Sequence, residues 1–130
     1  MIALDTNILA RLLLADDAAQ LARVKTLLGK KQSYSAPITV MLELVWVLEA
    51  NDCTPLEIER GINLLLGLAN FQPANPQELK QALAWYANGL DFADALHLAL
   101  SHDAKQLVTF DKKFVKLAKK SGASLTVIEA

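Results

Sequence analysis

The spacing of apolar residues along the chain predicts helices and strands that alternate. From Ala18 to Leu28 apolar residues recur with the period of an amphipathic helix, which ends at "GKKQ". Further helices are expected in "NILARLLLAD", from Pro76 to about Ala87, from Asp91 to about His102, and in "DKKFVKLAKKSG" up to Gly122. Four short runs suit strands: "MIAL", which its apolarity suggests is buried, "SYSA", "QLVTF" and "SLTVIEA".

The middle of the chain is predicted to be helical. A helix that begins at Pro37 and runs to about Ala50 is almost wholly apolar around one carboxylate, Glu43. The segment "TPLE" at Thr54–Glu57 has the pattern of a capping box and begins a helix through about Leu68. Strands that alternate with helices indicate an α/β domain with a mainly parallel sheet, which we expect to be a single domain over residues 1–130.

Composition places the chain among ordinary globular proteins. It has 130 residues, 53% hydrophobic and 21% charged, and 13 basic against 14 acidic side chains give a net charge of −1. Bulk charge therefore does not indicate a strongly basic nucleic-acid binder, although local patches remain open. One cysteine, Cys53, allows no internal disulfide, and no signal-like start or membrane-length apolar run is found. We expect a soluble cytoplasmic protein.

The candidate chemistry lies in five carboxylates. Asp5 and Asp111 follow predicted strands, and ligands of open parallel sheets bind beyond the carboxyl ends of the strands. Asp91 and Asp94 share a helix face, whereas Glu43 joins no polar stripe. Taken singly, the four aspartates could simply cap helices or suit a helix dipole, and Glu43 could lie on an exposed rim or in a salt bridge.

The acids are more informative as a set. A like-charge pair at ~4 Å costs about 1 kcal/mol in water and about 4 kcal/mol at an intermediate dielectric, and a divalent cation removes that cost. Oxygen ligands without a cysteine or histidine cluster favour Mg²⁺ or Mn²⁺. Such a site suits hydrolysis of a phosphodiester, because the metal polarises the phosphoryl group and activates water.

Four segments carry a resemblance to a known family: "ALDTN" at 3–7, the lone Glu43 in its apolar helix, "DFADALHLA" at 91–99 and "LVTFDKKF" at 107–114. In this order and spacing they resemble the PIN-domain family, in particular the small VapC-type ribonuclease toxins of type II toxin–antitoxin pairs. The resemblance spans essentially the whole chain. It implies a three-layer α/β/α fold with a central, mainly parallel sheet, cleavage of single-stranded RNA with Mg²⁺ or Mn²⁺, a cognate antitoxin, and a homodimer.

The resemblance also implies roles for residues. The family's acidic quartet, which is both catalytic and metal-binding, maps onto Asp5, Glu43, Asp94 and Asp111. Asp5 and Asp94 are the expected direct ligands, with Glu43 and Asp111 completing the shell, directly or through water. Asp91 competes with Asp94 for the third place, and we expect it to be an auxiliary acid or the helix cap.

Side chains beside the acids are weaker candidates. Thr6, Asn7 and Thr109 could hydrogen-bond a ligand water or a phosphate, or could cap the backbone locally. Arg11, one helical turn beyond Asn7, could meet an RNA phosphate or be a solvated surface charge. Packing or a solvated face is the default interpretation for the histidines, aromatic residues and last-helix lysines, with a general base, base stacking and a phosphate track as the respective alternatives: His97, His102, Trp46, Trp85, Phe92, Lys112, Lys113, Lys116, Lys119 and Lys120.

Two rival functions remain open from the sequence. One is a PIN nuclease of RNA processing that has no antitoxin. The other is a catalytically silent binding module whose acids only cap helices. The Leu-rich stretches "LARLLLA" and "INLLLGL" could form a clamp for a partner helix or belong to the core.

Overall fold

A computed structural model describes all residues from 1 to 130. It contains seven helices and four short strands, and the chain forms two compact units, 1–76 and 77–130, which are described separately. In chain order the elements are β1 (Ile2–Ala3), α1 (Thr6–Leu14), α2 (Ala18–Leu28), β2 (Tyr34–Ser35), α3 (Ile38–Ala50), α4 (Pro55–Leu66), α5 (Pro76–Ala87), α6 (Phe92–Leu100), β3 (Gln106–Thr109), α7 (Lys112–Ser121) and β4 (Thr126–Glu129).

The N-terminal unit contains one parallel pair of strands. β1 pairs with β2, Ile2 opposite Tyr34, and Tyr34 makes a further parallel bridge to Phe71. Helices α1 and α2 connect the paired strands, as a parallel connection requires a crossover. The Tyr34 hydroxyl donates to the carbonyl of Leu27 at 2.6 Å and ties the end of α2 to the strand. Helix α1 packs against α2 and α3, and α3 packs against α4.

Helix α3 shows how its single carboxylate is accommodated. Its buried positions recur every three or four residues: Val40, Met41, Leu44, Val45 and Leu48. Glu43 and Trp46 lie three residues apart on the opposite, exposed face, where Trp46 is 51% exposed. Glu43 is exposed and makes no ion pair. Of the two structural alternatives, an exposed rim and a salt bridge, the exposed rim is therefore correct. Pro37 was expected to be the first helical residue of α3. In the structure it is the N-cap, one residue earlier.

Two reciprocal hydrogen bonds stabilise the start of α4. The Thr54 hydroxyl accepts from the Glu57 N–H at 3.2 Å, and Glu57 Oε1 accepts from the Thr54 N–H at 2.8 Å. This is the predicted capping box, and donation to the Glu57 carboxylate from the Thr54 backbone N–H, and next from the Thr54 side chain, lowers the pKa of Glu57. The helix ends at Leu66 before Gly67, two residues earlier than expected.

The C-terminal unit contains the second parallel pair. β3 pairs with β4 over four residues, from Gln106 opposite Thr126 to Thr109 opposite Glu129. Helix α7 connects the two strands and packs against both, which makes a β-α-β unit. Tyr86 and Phe92 meet edge to face, with ring centroids 5.5 Å apart. The predicted α/β class with parallel strands is therefore confirmed.

Some expected bounds and burials were wrong. Ile2 and Ala3 are exposed, although "MIAL" was expected to be a buried strand. The strand in "QLVTF" ends at Thr109, and Phe110 is 85% exposed. Helix α6 ends at Leu100 and not at His102. Short apolar runs do not reveal how many faces of a strand are covered, since that depends on packing between distant segments.

Candidate active site

In the N-terminal unit Asp5 stands at the junction of β1 and α1. The N–H of Leu4 donates to the carbonyl of Ser35 at 2.8 Å and holds the junction to β2. Asp5 is the N-cap of α1, and its Oδ1 accepts from the Thr6 N–H at 2.7 Å. Asp5 is exposed, and its second carboxylate oxygen accepts no hydrogen bond. The cap therefore leaves Asp5 with oxygen lone pairs for a ligand.

Thr6 carries a polar atom without a partner. The residue is only 5% exposed, and its Oγ1 has no hydrogen-bond partner. Buried hydroxyls are normally satisfied, so an orphaned one beside a candidate metal ligand needs an explanation. Because Thr6 Oγ1 caps nothing, a water or a ligand oxygen near Asp5 would be its natural partner.

Glu43 belongs to the same unit as Asp5. It projects from the exposed face of α3, and α3 packs against α1, the helix that Asp5 caps. Neither acid has a cationic partner in the structure.

In the C-terminal unit three aspartates share one cleft. Asp91 caps α6, and its Oδ2 accepts from the Asp94 N–H at 3.2 Å. Asp111 caps α7, where its Oδ1 accepts from the Phe114 N–H at 3.0 Å. Thr109 Oγ1 accepts from the Asp111 N–H at 3.1 Å and steadies that junction. Asp91, Asp94 and Asp111 line a cleft of about 390 Å³, together with Lys113.

The cleft is electrostatically unfavourable for Asp94. Partial burial raises the pKa of Asp94 most, and the neighbouring carboxylates of Asp91 and Asp111 raise it further, while His97 opposes them. Asp94 makes no side-chain hydrogen bond that would stabilise its charge. A cation in the cleft would reverse the penalty, because it favours the ionised form.

The donor chemistry fits a hard cation that keeps most of its water. No group of three or more acidic, histidine or cysteine side chains is arranged so that it could by itself hold a metal ion. Magnesium often uses only one or two carboxylates and several waters, so exposed aspartate oxygens with room for water are suitable ligands. Asp94 and Asp111 could hold such an ion in the C-terminal unit, and Asp5 is similarly open in the N-terminal unit.

Two cationic side chains have surroundings that the sequence did not show. Arg11 is not a free surface charge, because it pairs with Asp16 and is mostly buried. Lys113 is exposed, as the solvated-face interpretation expects, and it also lines the acidic cleft with Asp111. The sequence offered one signal for Lys113: its position in the first turn of the helix that Asp111 caps.

The histidines remain outside any ligand cluster. His97 is exposed and acts on Asp94 only through its charge. His102 lies near Glu78, at 3.5 Å, and near Asp103, at 3.1 Å.

Comparison with known proteins identifies the family. The profile of the PIN domain matches residues 2–120, so the chain belongs to the PIN domain family. Members of this family are generally nucleases, which are hydrolases, and generally use divalent metals. A search of curated proteins found no match. None of the helices has the length and apolarity that crossing a membrane requires.

Proposed function

We propose that this PIN domain is a Mg²⁺- or Mn²⁺-dependent endoribonuclease that cleaves single-stranded RNA and acts as the toxin of a type II toxin–antitoxin pair. The observation that supports this most strongly is that Asp91, Asp94 and Asp111 line one cleft. Helix capping explains Asp91 and Asp111. Asp94 caps nothing, and although its place in the first turn of α6 suits the helix dipole, burial and the other two carboxylates disfavour its charge.

The proposed roles follow the residue pattern of the PIN domain family. By that pattern Asp5 and Asp94 would be the direct ligands of a metal ion, and Glu43 and Asp111 would complete its shell, directly or through water. When bound, the ion would supply polarisation of the phosphoryl group and a lowered pKa for an attacking water. Thr109 holds the backbone of Asp111 in place through its hydroxyl.

Three side chains are proposed to assist. Lys113, in the acidic cleft, can meet a phosphate oxygen, and Thr6 and Asn7 can hydrogen-bond a ligand water. Asp91 keeps the N-terminus of α6 in place as its cap and adds negative charge beside Asp94.

The decisive experiment is cleavage of a single-stranded RNA by the purified full chain with Mg²⁺ or Mn²⁺ or with EDTA. Cleavage with metal, its loss in EDTA, and its loss in Asp94→Asn are expected. Asp103→Asn is the matched control, since its side chain is 96% exposed and does not line the acidic cleft. Metal-dependent cleavage that survives in Asp94→Asn would contradict the assigned chemistry.

The toxin role requires a partner, and α4 offers a surface for one. In "INLLLGL" Ile62 and Leu65 are buried in the core, whereas Leu64 is 73% exposed and Leu68 is also exposed. These leucines and Trp46 of α3 are exposed apolar side chains of the N-terminal unit that an antitoxin or a second copy could cover. Growth arrest on expression, relieved by a protein encoded next to the gene, would support the toxin role, and cleavage without growth arrest would favour RNA processing.

A further inference from the structure

A second cleft lies between α1 and α2 in the N-terminal unit. This α1–α2 cleft has a volume of about 330 Å³. Four polar side chains line it: Asn7 and Arg11 from α1, and Gln20 and Arg23 from α2. The lining of the cleft therefore includes two guanidinium groups and two amides. Neither helix capping nor core packing explains why these four polar groups lie together.

Arg11 has a free hydrogen-bonding edge. One of its terminal nitrogens, Nη1, donates to the carboxylate of Asp16. Its Nε is buried and has no hydrogen-bond partner. In a guanidinium group, Nε and Nη2 form one side of the planar fork, the side that binds a phosphate or a carboxylate with two parallel bonds. An anion beside Arg11 would therefore satisfy a donor that the folded chain leaves unpaired.

Arg23 adds a positive charge that the protein does not neutralise. It is exposed on α2 and makes no ion pair. Asp16, the acid that pairs with Arg11, neutralises only one of the two guanidinium groups. The cleft consequently carries net positive charge, although the chain as a whole has a net charge of −1.

The other wall of the cleft is apolar. Ile8, Val24 and Leu27 contribute to it, beside the amide of Gln20. An apolar surface next to hydrogen-bonding amides and arginines suits one nucleotide, whose base packs on the apolar side chains while its phosphate meets the arginines. A simple inorganic anion would leave the apolar wall unused.

The position of the cleft connects it with the candidate active site. Asn7 follows Asp5 by two residues, and Arg11 lies four residues further along the same face of α1, a rise of about 6 Å. We infer that the α1–α2 cleft binds one nucleotide of the single-stranded RNA next to the cleaved bond, with Arg11 and Arg23 on its phosphate. The inference rests on the proposed ribonuclease function and adds Gln20 and Arg23, which the sequence did not indicate.

RNA binding can be measured apart from cleavage. Fluorescence anisotropy of a labelled single-stranded RNA oligonucleotide, in EDTA and over a series of salt concentrations, compares the full chain with Arg23→Gln. Losing one phosphate contact should reduce the slope of log affinity against log salt by about 0.7 and weaken binding about 5-fold at 0.1 M salt. Arg60→Gln, an exposed arginine of α4 that does not line the cleft, should leave both unchanged.

Several outcomes would overturn the inference. One such outcome is an equal RNA affinity and an equal salt slope for Arg23→Gln and Arg60→Gln. Another is an acidic peptide that displaces the labelled RNA as well as unlabelled RNA does. In cleavage assays Arg23→Gln should raise KM and leave kcat unchanged. A parent protein that binds RNA through Arg23 but never cleaves it would refute the nuclease function and leave the cleft assignment standing.

Discussion

Replacing Asp94 by Asn tests the crowding of the acidic cleft directly. The change removes a negative charge and keeps the shape of the side chain. Burial and the charges of Asp91 and Asp111 raise the pKa of Asp94, so its ionised form is disfavoured in the folded state at neutral pH. Without metal, Asp94→Asn should therefore be more stable than the parent, although it should not cleave RNA.

The magnitude follows from the exposure of the group. Asp94 is only partly buried, so solvent screens its repulsion from the two neighbours, and we expect a gain of about 0.5 kcal/mol in the free energy of unfolding. For a chain of this size that gain corresponds to a rise in Tm of about 2 °C.

The pH dependence has a definite sign. Because the pKa of Asp94 is raised above its ordinary value of 3.8, the folded protein keeps this proton to a higher pH than the unfolded chain. The contribution of Asp94 to stability thus falls as pH rises through the window that begins at 3.8. The advantage of Asp94→Asn should be complete above this window and should disappear below it.

Thermal unfolding in EDTA, from about pH 3 to pH 7, and then with added Mn²⁺, provides the assay. Metal should stabilise the parent by about 1.4 kcal/mol at ten times its dissociation constant and stabilise Asp94→Asn less, so the order of Tm values should reverse. Asp103→Asn should follow the parent throughout. A variant that is less stable than the parent in EDTA at pH 7 would refute the argument that Asp94 is crowded.

The remaining predictions concern residues of the N-terminal unit. Glu43→Gln should abolish RNA cleavage and leave Tm within about 1 °C of the parent, because Glu43 is exposed and unpaired. A large loss of Tm would mean that Glu43 has a structural role instead. Thr54→Ala removes the hydroxyl of the capping box and should cost about 1 kcal/mol, measured by urea unfolding, with the cleavage rate unchanged. Since the pKa of Glu57 is lowered, the stability it adds should be present at neutral pH and lost as pH falls through its lowered pKa, a loss that Glu57→Gln should not show.

The sequence predicted helices with strong local signals well. Helix α2 spans Ala18–Leu28 and α5 spans Pro76–Ala87, as expected. Caps, prolines and apolar period act within a few residues, so they can be read without knowing the fold. Asp17, for example, caps α2 by accepting from the Gln20 N–H at 3.0 Å.

Exposure and pairing were harder to predict, because they depend on distant segments. Both faces of α3 are apolar in sequence, so its period did not show that Glu43 and Trp46 would be on the exposed side. The resemblance placed Asp94 and Asp111 in one site, but of the two only Asp111 follows a predicted strand. The α1–α2 cleft could not be predicted from the sequence, because it depends on how two helices pack. No local sequence signal indicates that Arg23 lines a cleft.

Capping and metal binding do not exclude each other at the junctions of strands and helices. An acid that follows a parallel strand can cap the next helix with one oxygen and still offer its other lone pairs at the edge of the sheet, as Asp5 and Asp111 do. Hydrogen bonds at these two residues therefore cannot separate a structural from a catalytic role. Glu43 and Asp94 cap nothing, and so they carry the functional argument. Since Asn caps as well as Asp, Asp5→Asn and Asp111→Asn keep the cap and remove the charge, so cleavage lost at an unchanged Tm would have to come from the charge.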